Sequence, residues 1–225
     1  AIPWNLPLVD FFEEIGHAIS NNNFYQNTRN DVIFNIIFEN QISLSALKLQ
    51  ASHSGYSLDG SHHFFLLHFI LPESGQTAGM EQTICNNLYE YLEQSFSEQD
   101  IPFLSSTYSN HIVGIFPEKN FSEVTELFQK TIDYVSLTYP KLICNIGIGL
   151  ALSDAGKLKQ SYEQAAECIN YCNRLNLNHQ HLRYDQLGLY QLFSDLNQTN
   201  LYESFVETQL GALIHYDADN HTQLV

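Results

Sequence analysis

Two cysteines and two histidines could supply the ligands of a zinc ion. Cys168 and Cys172 lie one helical turn apart, and His179 and His181 follow shortly after them. Thiolate and imidazole are the groups that hold structural zinc, but this spacing is unusual for such a site. We interpret the cysteines as small residues on a partly buried helix face and the histidines as part of a polar loop. The sequence therefore predicts no metal and no cofactor.

A second polar group lies at a turn between two predicted strands. Ser109, Asn110 and His111 form this turn, and exposed turns often carry binding residues. Ser and Asn are also ordinary turn-forming residues, because their side chains bond to the nearby backbone. We favour this second interpretation over a ligand site at the tip.

The glycines of Gly147-Ile148-Gly149 could suggest a dinucleotide-binding turn. No third glycine follows at the required position, and both glycines lie inside a predicted strand. We interpret them as positions where a helix approaches the sheet closely.

The remaining histidines do not indicate a catalytic site. The chain has ten histidines in all, and His17, His53, His62, His63 and His215 are scattered along it. Scattered histidines are usually surface residues, and we interpret these in that way. Catalytic groups meet in space and not in sequence, so spacing alone identifies no catalytic residue. We expect no enzymatic activity and predict no catalytic or cofactor-binding residue.

Composition restricts the class of protein. The 225 residues are 44% hydrophobic, which is typical of a folded chain, and their formal net charge is −16, which repels nucleic acid. The four cysteines form no dense framework, so a reducing cytoplasm is expected. The longest apolar run, Phe64 to Leu71, is too short to span a membrane.

The first 57 residues have helical periodicity. One apolar stripe runs from Leu8 to Ile19 and a second from Val32 to Ile37. A third short helix near Ser43 to Leu47 is closed by Gly55. We predict that residues 1–57 form a helical segment that leads into the main domain.

The middle of the chain alternates between strand and helix patterns in the order βαββαβ. This order is typical of the ferredoxin-like fold, in which two helices cover one face of an antiparallel sheet. The fold class expected is therefore α+β, with flanking helices. The predicted elements are strand Phe64–Leu71, helix Met80–Phe96, strands Phe103–Thr107 and Ile112–Phe116, a helix through Val124 to Val135, and strand Leu142–Leu150.

Further elements follow this unit. A helix is expected from Leu158 to Leu175 and an extended piece around Leu182 to Tyr184. Helical segments are expected at Leu187 to Phe193 and Leu201 to Ile214. We assign residues 58–186 to the α+β domain and residues 187–225 to a helical connector.

Four motifs in the second half of the chain occur in a recognisable order. They are GIG at Gly147–Gly149, SYEQA at Ser161–Ala165, DQLGLY from Asp185, and the stretch FVETQLGALIHYD that ends near Tyr216. This order resembles the PucR/CdaR family of bacterial transcription regulators. The resemblance implies a middle domain related to the GGDEF domain of diguanylate cyclases, followed by a helix-turn-helix that binds DNA.

The resemblance also allows a test for cyclase activity. A cyclase of this fold needs carboxylates on its first strand and at the hairpin tip to hold Mg²⁺. The first strand instead offers His68 and Ile70, and residues 108–112 read YSNHI where the signature would read GGDEF. We expect a degenerate domain without turnover.

The function predicted is the regulatory, dimer-forming part of a PucR/CdaR-type activator whose DNA-binding domain lies outside this chain. The expected partners are a second copy of the chain, DNA only through that absent domain, and a small-molecule effector. The alternative is a stand-alone small-molecule-binding domain or a degenerate cyclase-like protein. The sequence identifies neither the effector nor the promoter.

Overall fold

A computed structural model describes residues 28–38, 43–71, 79–108 and 110–188. The predicted helices at Leu8 to Ile19 and Leu201 to Ile214 lie outside these residues, as does most of Leu187 to Phe193. The helices are α1 (Thr28–Phe38), α2 (Leu44–His53), α3 (Met80–Glu98), α4 (Phe121–Thr138) and α5 (Leu158–Arg174), and the strands are β1 (His62–Ile70), β2 (Leu104–Tyr108), β3 (His111–Pro117), β4 (Ile143–Ile148) and β5 (His181–Arg183).

The five strands form one sheet in the order β2-β3-β1-β4-β5. Strand β1 pairs antiparallel with β3 on one side and with β4 on the other, and β2 pairs antiparallel with β3. The predicted βαββαβ order and the α+β class are thus confirmed. Strand β5 extends the sheet by pairing parallel to β4, with α5 as the crossover that a parallel pair requires.

Alternate residues of β1 serve two separate cores. Phe65, Leu67 and Phe69 lie in the cluster that α3 and α4 cover, while Phe64 and Leu66 lie in the cluster covered by α5, α1 and α2. This explains why the strand reads as a continuous apolar run and not as an alternating one. Each fully buried Phe or Leu contributes about 1.5–3 kcal/mol to stability.

Helix α2 begins and ends near the residues that the sequence indicates. Helix α2 begins after Ser43, whose hydroxyl accepts a hydrogen bond from the Ala46 amide at 3.3 Å. It ends in a turn where Gly55 has φ +78° and the Tyr56 amide donates back to the Ala51 carbonyl at 2.9 Å. Glycine is favoured there because other residues rarely adopt positive φ.

The extended piece predicted around Leu182 to Tyr184 is β5, which ends at Arg183, and Tyr184–Leu187 forms one 3₁₀ turn after it. The side chain of Gln186 accepts a hydrogen bond from the Arg183 amide at 2.8 Å, which closes this tighter turn.

The backbone of helix α5 packs directly against the backbone of β4 and the residue that follows it. A Cβ atom on Gly147 would lie 2.0 Å from the Ala165 carbonyl oxygen, and one on Gly149 would lie 1.9 Å from the Ser161 carbonyl oxygen. Both glycines are therefore required for this packing, which confirms the interpretation of the GIG motif as a site of close helix approach.

Ser161 adds hydrogen bonds at the same contact. Its hydroxyl donates to the Leu150 carbonyl at 2.8 Å and accepts from the Phe64 amide at 3.0 Å. Tyr162 packs edge-on against Phe64, with ring centroids 5.3 Å apart. The GIG and SYEQA motifs thus form one joint between β4, β1 and α5.

Among the described residues, no helix is long and apolar enough to cross a membrane.

Replacing Gly147 by alanine should lower the free energy of unfolding by about 1–3 kcal/mol, because the added methyl group forces α5 away from β4. Chemical denaturation of the purified chain would measure the loss. The matched control is Gly156→Ala at an exposed turn, where the new Cβ would lie 3.3 Å from the Asp154 carboxylate. That control should stay within about 0.5 kcal/mol of the wild type. Equal effects of both substitutions would contradict the proposed role of Gly147.

Candidate functional site

A row of four polar side chains crosses the sheet at the end of β1. Tyr108 of β2 is paired with His111 of β3, His111 with His68 of β1, and His68 with Asn145 of β4. Residues directly paired across strands share one face, so the four side chains lie on the face that α5 covers. We call these four residues the polar row.

The two imidazoles at the centre of the polar row are stacked. The ring centroids of His68 and His111 are 4.5 Å apart and their planes differ by 18°. Both residues are largely buried, and no acidic side chain contributes to the pKa shift of either ring.

Asn110 connects the hairpin tip to β1. Its backbone carbonyl accepts a hydrogen bond from the Phe69 amide at 3.2 Å, and its side-chain Nδ2 donates to the Phe69 carbonyl at 2.9 Å. Because a carbonyl can only accept, the second bond determines which end of the amide is the NH₂ group. The same Nδ2 lies 3.1 Å from Nε2 of His68.

This geometry determines the tautomer of His68. Since Nδ2 of Asn110 can only donate, Nε2 of His68 accepts and the ring proton resides on Nδ1. Nδ1 of His68 is buried and has no hydrogen-bond partner among the described residues.

Burial keeps both imidazoles uncharged near neutral pH. It lowers the pKa of His68 to about 4. Burial also lowers the pKa of His111 to about 3, with a further decrease from the charge of His68 and a partial increase from a hydrogen bond to the Tyr108 backbone. The polar row therefore presents neutral nitrogen and amide groups and no carboxylate.

Asn145 secures the loop that leads into β5. Its Nδ2 donates to the Leu177 carbonyl at 2.9 Å, and its Oδ1 accepts from the Gln180 amide at 3.0 Å. The side chain is 1% exposed and has partners at both ends. The sequence analysis did not identify Asn145, although an asparagine inside the apolar run LICNIGIGL was a signal that could have done so.

Comparison with protein families gives one match. A model of the GGDEF-like domain matches residues 39–171 of the 225. The chain belongs to the GGDEF-like domain family. No curated protein sequence matches it significantly.

The match starts at residue 39 and thus includes α2, whereas the sequence analysis placed the start of the domain at residue 58. The division into segments 1–57, 58–186 and 187–225 stays a prediction. The GGDEF-like assignment itself agrees with the sheet order and with the GGDEF-related middle domain that the sequence resemblance implied.

The polar row does not fit the magnesium ion that active cyclases of this fold use. Mg²⁺ prefers oxygen ligands in octahedral geometry, whereas this GGDEF-like domain has imidazoles at His68 and His111, an apolar Ile70 and an amide at Asn110. Among the described residues, no group of three or more His, Cys, Asp or Glu side chains could hold a metal. Ser109, the remaining polar residue of the predicted tip, lies outside the described residues.

The candidate zinc ligands of the GGDEF-like domain do not converge. Cys168 and Cys172 lie on the buried face of α5, and burial raises the pKa of the thiols to about 12 and about 11. His179 and His181 instead contact side chains of α4, at 3.3 Å from the Ser136 hydroxyl and 3.2 Å from the Gln129 amide oxygen. The cysteines are more deeply buried than the partial burial that the sequence analysis expected.

The other scattered histidines are less uniformly exposed than expected. His53 is exposed, but His62 and His63 are 2% and 3% exposed at the start of β1. Nδ1 of His63 lies 2.8 Å from the Gly149 carbonyl, and its ring stacks on Phe116 at 5.2 Å. The interpretation of these two residues as surface histidines was wrong, because β1 extends two residues further than its apolar run. His17 and His215 lie outside the described residues.

The stability of the GGDEF-like domain should fall as the pH decreases from 6.5 towards 4. In the unfolded chain the imidazoles take up protons near pH 6.5, but native His68 and His111 do so only near 4 and 3. The unfolded state therefore binds more protons in this window, and each residue reduces stability by up to about 1.4 kcal/mol per pH unit.

The variant His68→Leu tests this dependence. It should reduce the slope of unfolding free energy against pH by about one proton between pH 6.5 and 5, measured by urea denaturation at several pH values. The control His53→Gln, at an exposed histidine, should keep the wild-type slope. A wild-type slope in the His68 variant would show that its imidazole titrates normally in the native state.

Proposed function

We propose that the chain is the non-catalytic regulatory domain of a PucR/CdaR-type transcription regulator, which holds two protomers together while a separate helix-turn-helix domain contacts DNA. The observation that carries the proposal is the stacked pair of neutral imidazoles, His68 and His111, where an active cyclase of this fold needs carboxylates. Without negative oxygen ligands at these positions, this site provides no means to neutralise a triphosphate through Mg²⁺.

The motifs that suggest the family have structural roles that support the same proposal. Gly147 and Gly149 accommodate α5, Ser161 connects α5 to β1, and Gly188 has φ +56° at the end of the DQLG turn. Such roles explain why these residue types occur together. These roles stabilise the packing of the domain, and none of them positions a catalytic side chain.

The negative charge of the chain agrees with a regulator in which a separate domain binds DNA. A formal net charge of −16 opposes contact with the phosphate backbone, so DNA recognition would require a domain of different charge. The role of this domain in the regulator would be to set the distance and orientation of two such DNA-binding domains.

Turnover assays test the non-catalytic part of the proposal. The purified chain, incubated with GTP or ATP and either Mg²⁺ or Mn²⁺, should form no cyclic mono- or dinucleotide above a no-protein blank. An active diguanylate cyclase serves as positive control. Product formation that the His68→Leu and His111→Leu variants abolish would overturn the proposal.

A fusion assay tests the dimer-forming part. The chain is fused at its C-terminus to a helix-turn-helix domain that represses a reporter only as a dimer. We expect repression by the fusion and none by the helix-turn-helix domain alone, together with twice the monomer mass of the unfused chain in light scattering. A soluble fusion that is monomeric and fails to repress would contradict this role.

One feature favours the second candidate function, a small-molecule-binding domain. A groove of about 380 Å³ lies between α2 and the loop before β1, and Lys48, Ser52, Ser57 and Asp59 contribute polar groups to it. Lys48 and Asp59 form an ion pair of 2.8 Å across this groove. A thermal-shift panel of purines, sugar diacids and amino acids tests this function, and a shift that Lys48→Gln abolishes would assign the ligand to the groove.

A further inference from the structure

The last described part of the chain is a short edge strand followed by a turn. Among the described residues, strand β5 has three half-buried residues and pairs only with β4, and the turn after it is anchored by the buried Leu187. One 3₁₀ turn follows, and Gly188, the last described residue before 189–225, has φ +56° and ψ −127°. This backbone conformation is accessible mainly to glycine, so Gly188 determines the direction in which the chain continues.

Arg183 connects this exit to the body of the domain. Its guanidinium lies 4.8 Å from the centroid of the Phe121 ring at the start of α4. It also bonds to both carboxylate oxygens of Asp185, through Nε at 2.6 Å and through Nη2. We call Phe121, Arg183 and Asp185 the exit latch.

The exit latch reaches the central strand through His63. The Phe121 and His63 ring centroids are 4.9 Å apart, and the His63 ring is fixed to the Gly149 carbonyl. A continuous set of contacts therefore joins the turn after β5 to the start of β1 and to the end of β4.

The charged groups of this contact are partly exposed to water. The side chains of Arg183 and Asp185 are 35% and 44% exposed, whereas the sheet beneath them is buried. Asp185 raises the pKa of Arg183 and is itself held at a lowered pKa by Arg183, so both stay charged across the physiological range. Exposed ion pairs and cation–π contacts are individually weak and can break without unfolding a domain.

We propose that the exit latch is a regulatory joint, whose closed state holds β5 and the turn up to Gly188 in the observed arrangement and whose opening frees this turn. The regulatory role rests on the proposed function, in which this turn leads towards a DNA-binding domain. In a dimer, closure of the latch fixes the turn up to Gly188 in both protomers. It would thereby set the distance between the two DNA-binding domains of the proposed regulator. Opening leaves strands β1 to β4 and the polar row intact.

Hydrogen–deuterium exchange tests the latch directly. In the Arg183→Gln variant, amides of residues 181–188 should exchange about three- to tenfold faster than in the wild type, while peptides from β1 keep their rates. Lys141→Gln, which removes one positive charge at an exposed residue before β4, should leave residues 181–188 unchanged. Unchanged exchange in Arg183→Gln, or faster exchange throughout the sheet, would overturn the latch.

The reporter fusion tests the regulatory role. Arg183→Gln in the fusion should change repression at least several-fold at unchanged dimer mass, and Arg183→Lys, which keeps the charge, should lie closer to the wild type. Locally faster exchange with wild-type repression would show a latch without regulatory effect and would overturn the proposal. A wild-type fusion that fails to dimerise would refute the proposed function instead, and with it the regulatory role, while the exchange data would still decide whether the latch exists.

Discussion

The burial of β1 on both faces is the constraint on which the rest of the structure depends. Six consecutive residues of this strand, His62 to Leu67, are buried, so no face of the sheet centre can stay open to water. Helices α3 and α4 cover one face, and the other face needs α5 at close range. The contact of α5 with Gly147 and Gly149 meets this need, because the absence of side chains lets helix and sheet backbones approach.

The same constraint explains the chemistry of the polar row. A carboxylate near the end of a strand buried on both sides is stable only when a cation or several hydrogen-bond donors compensate its desolvation. The imidazoles of His68 and His111 avoid that cost, since they remain neutral in the native state and stack on each other. A site of this kind holds the hairpin tip in place through Asn110 and lacks the carboxylate oxygens that Mg²⁺ prefers.

The sequence predicted the fold better than it predicted the candidate site. Strand and helix order followed from periodicity, because a buried strand such as Phe64 to Leu71 and an amphipathic helix such as Met80 to Phe96 have different apolar patterns. The interpretation of the GIG motif also held, since glycine inside a strand has few other uses. The pairing of His68 with His111 and of His68 with Asn145 depends on strand register, which joins residues up to 77 positions apart and leaves no local pattern. The family resemblance partly replaced this missing pattern, because it indicated that the first strand and the hairpin tip correspond to the metal-binding positions of active cyclases.

The contacts that stabilise this sheet are distributed unevenly between its centre and its β5 edge. The centre consists of long strands between two apolar layers, and its opening requires loss of most of the core. At one edge, β5 is a strand of three residues, supported by its pairing with β4, the amide of Asn145, the contacts of Arg183 and the buried Leu187. Release of this edge exposes less apolar surface than unfolding of the domain, so we expect it to need less free energy. Opening of β5 and of the turn that ends at Gly188 can then occur while strands β1 to β4, the helix joint and the polar row persist.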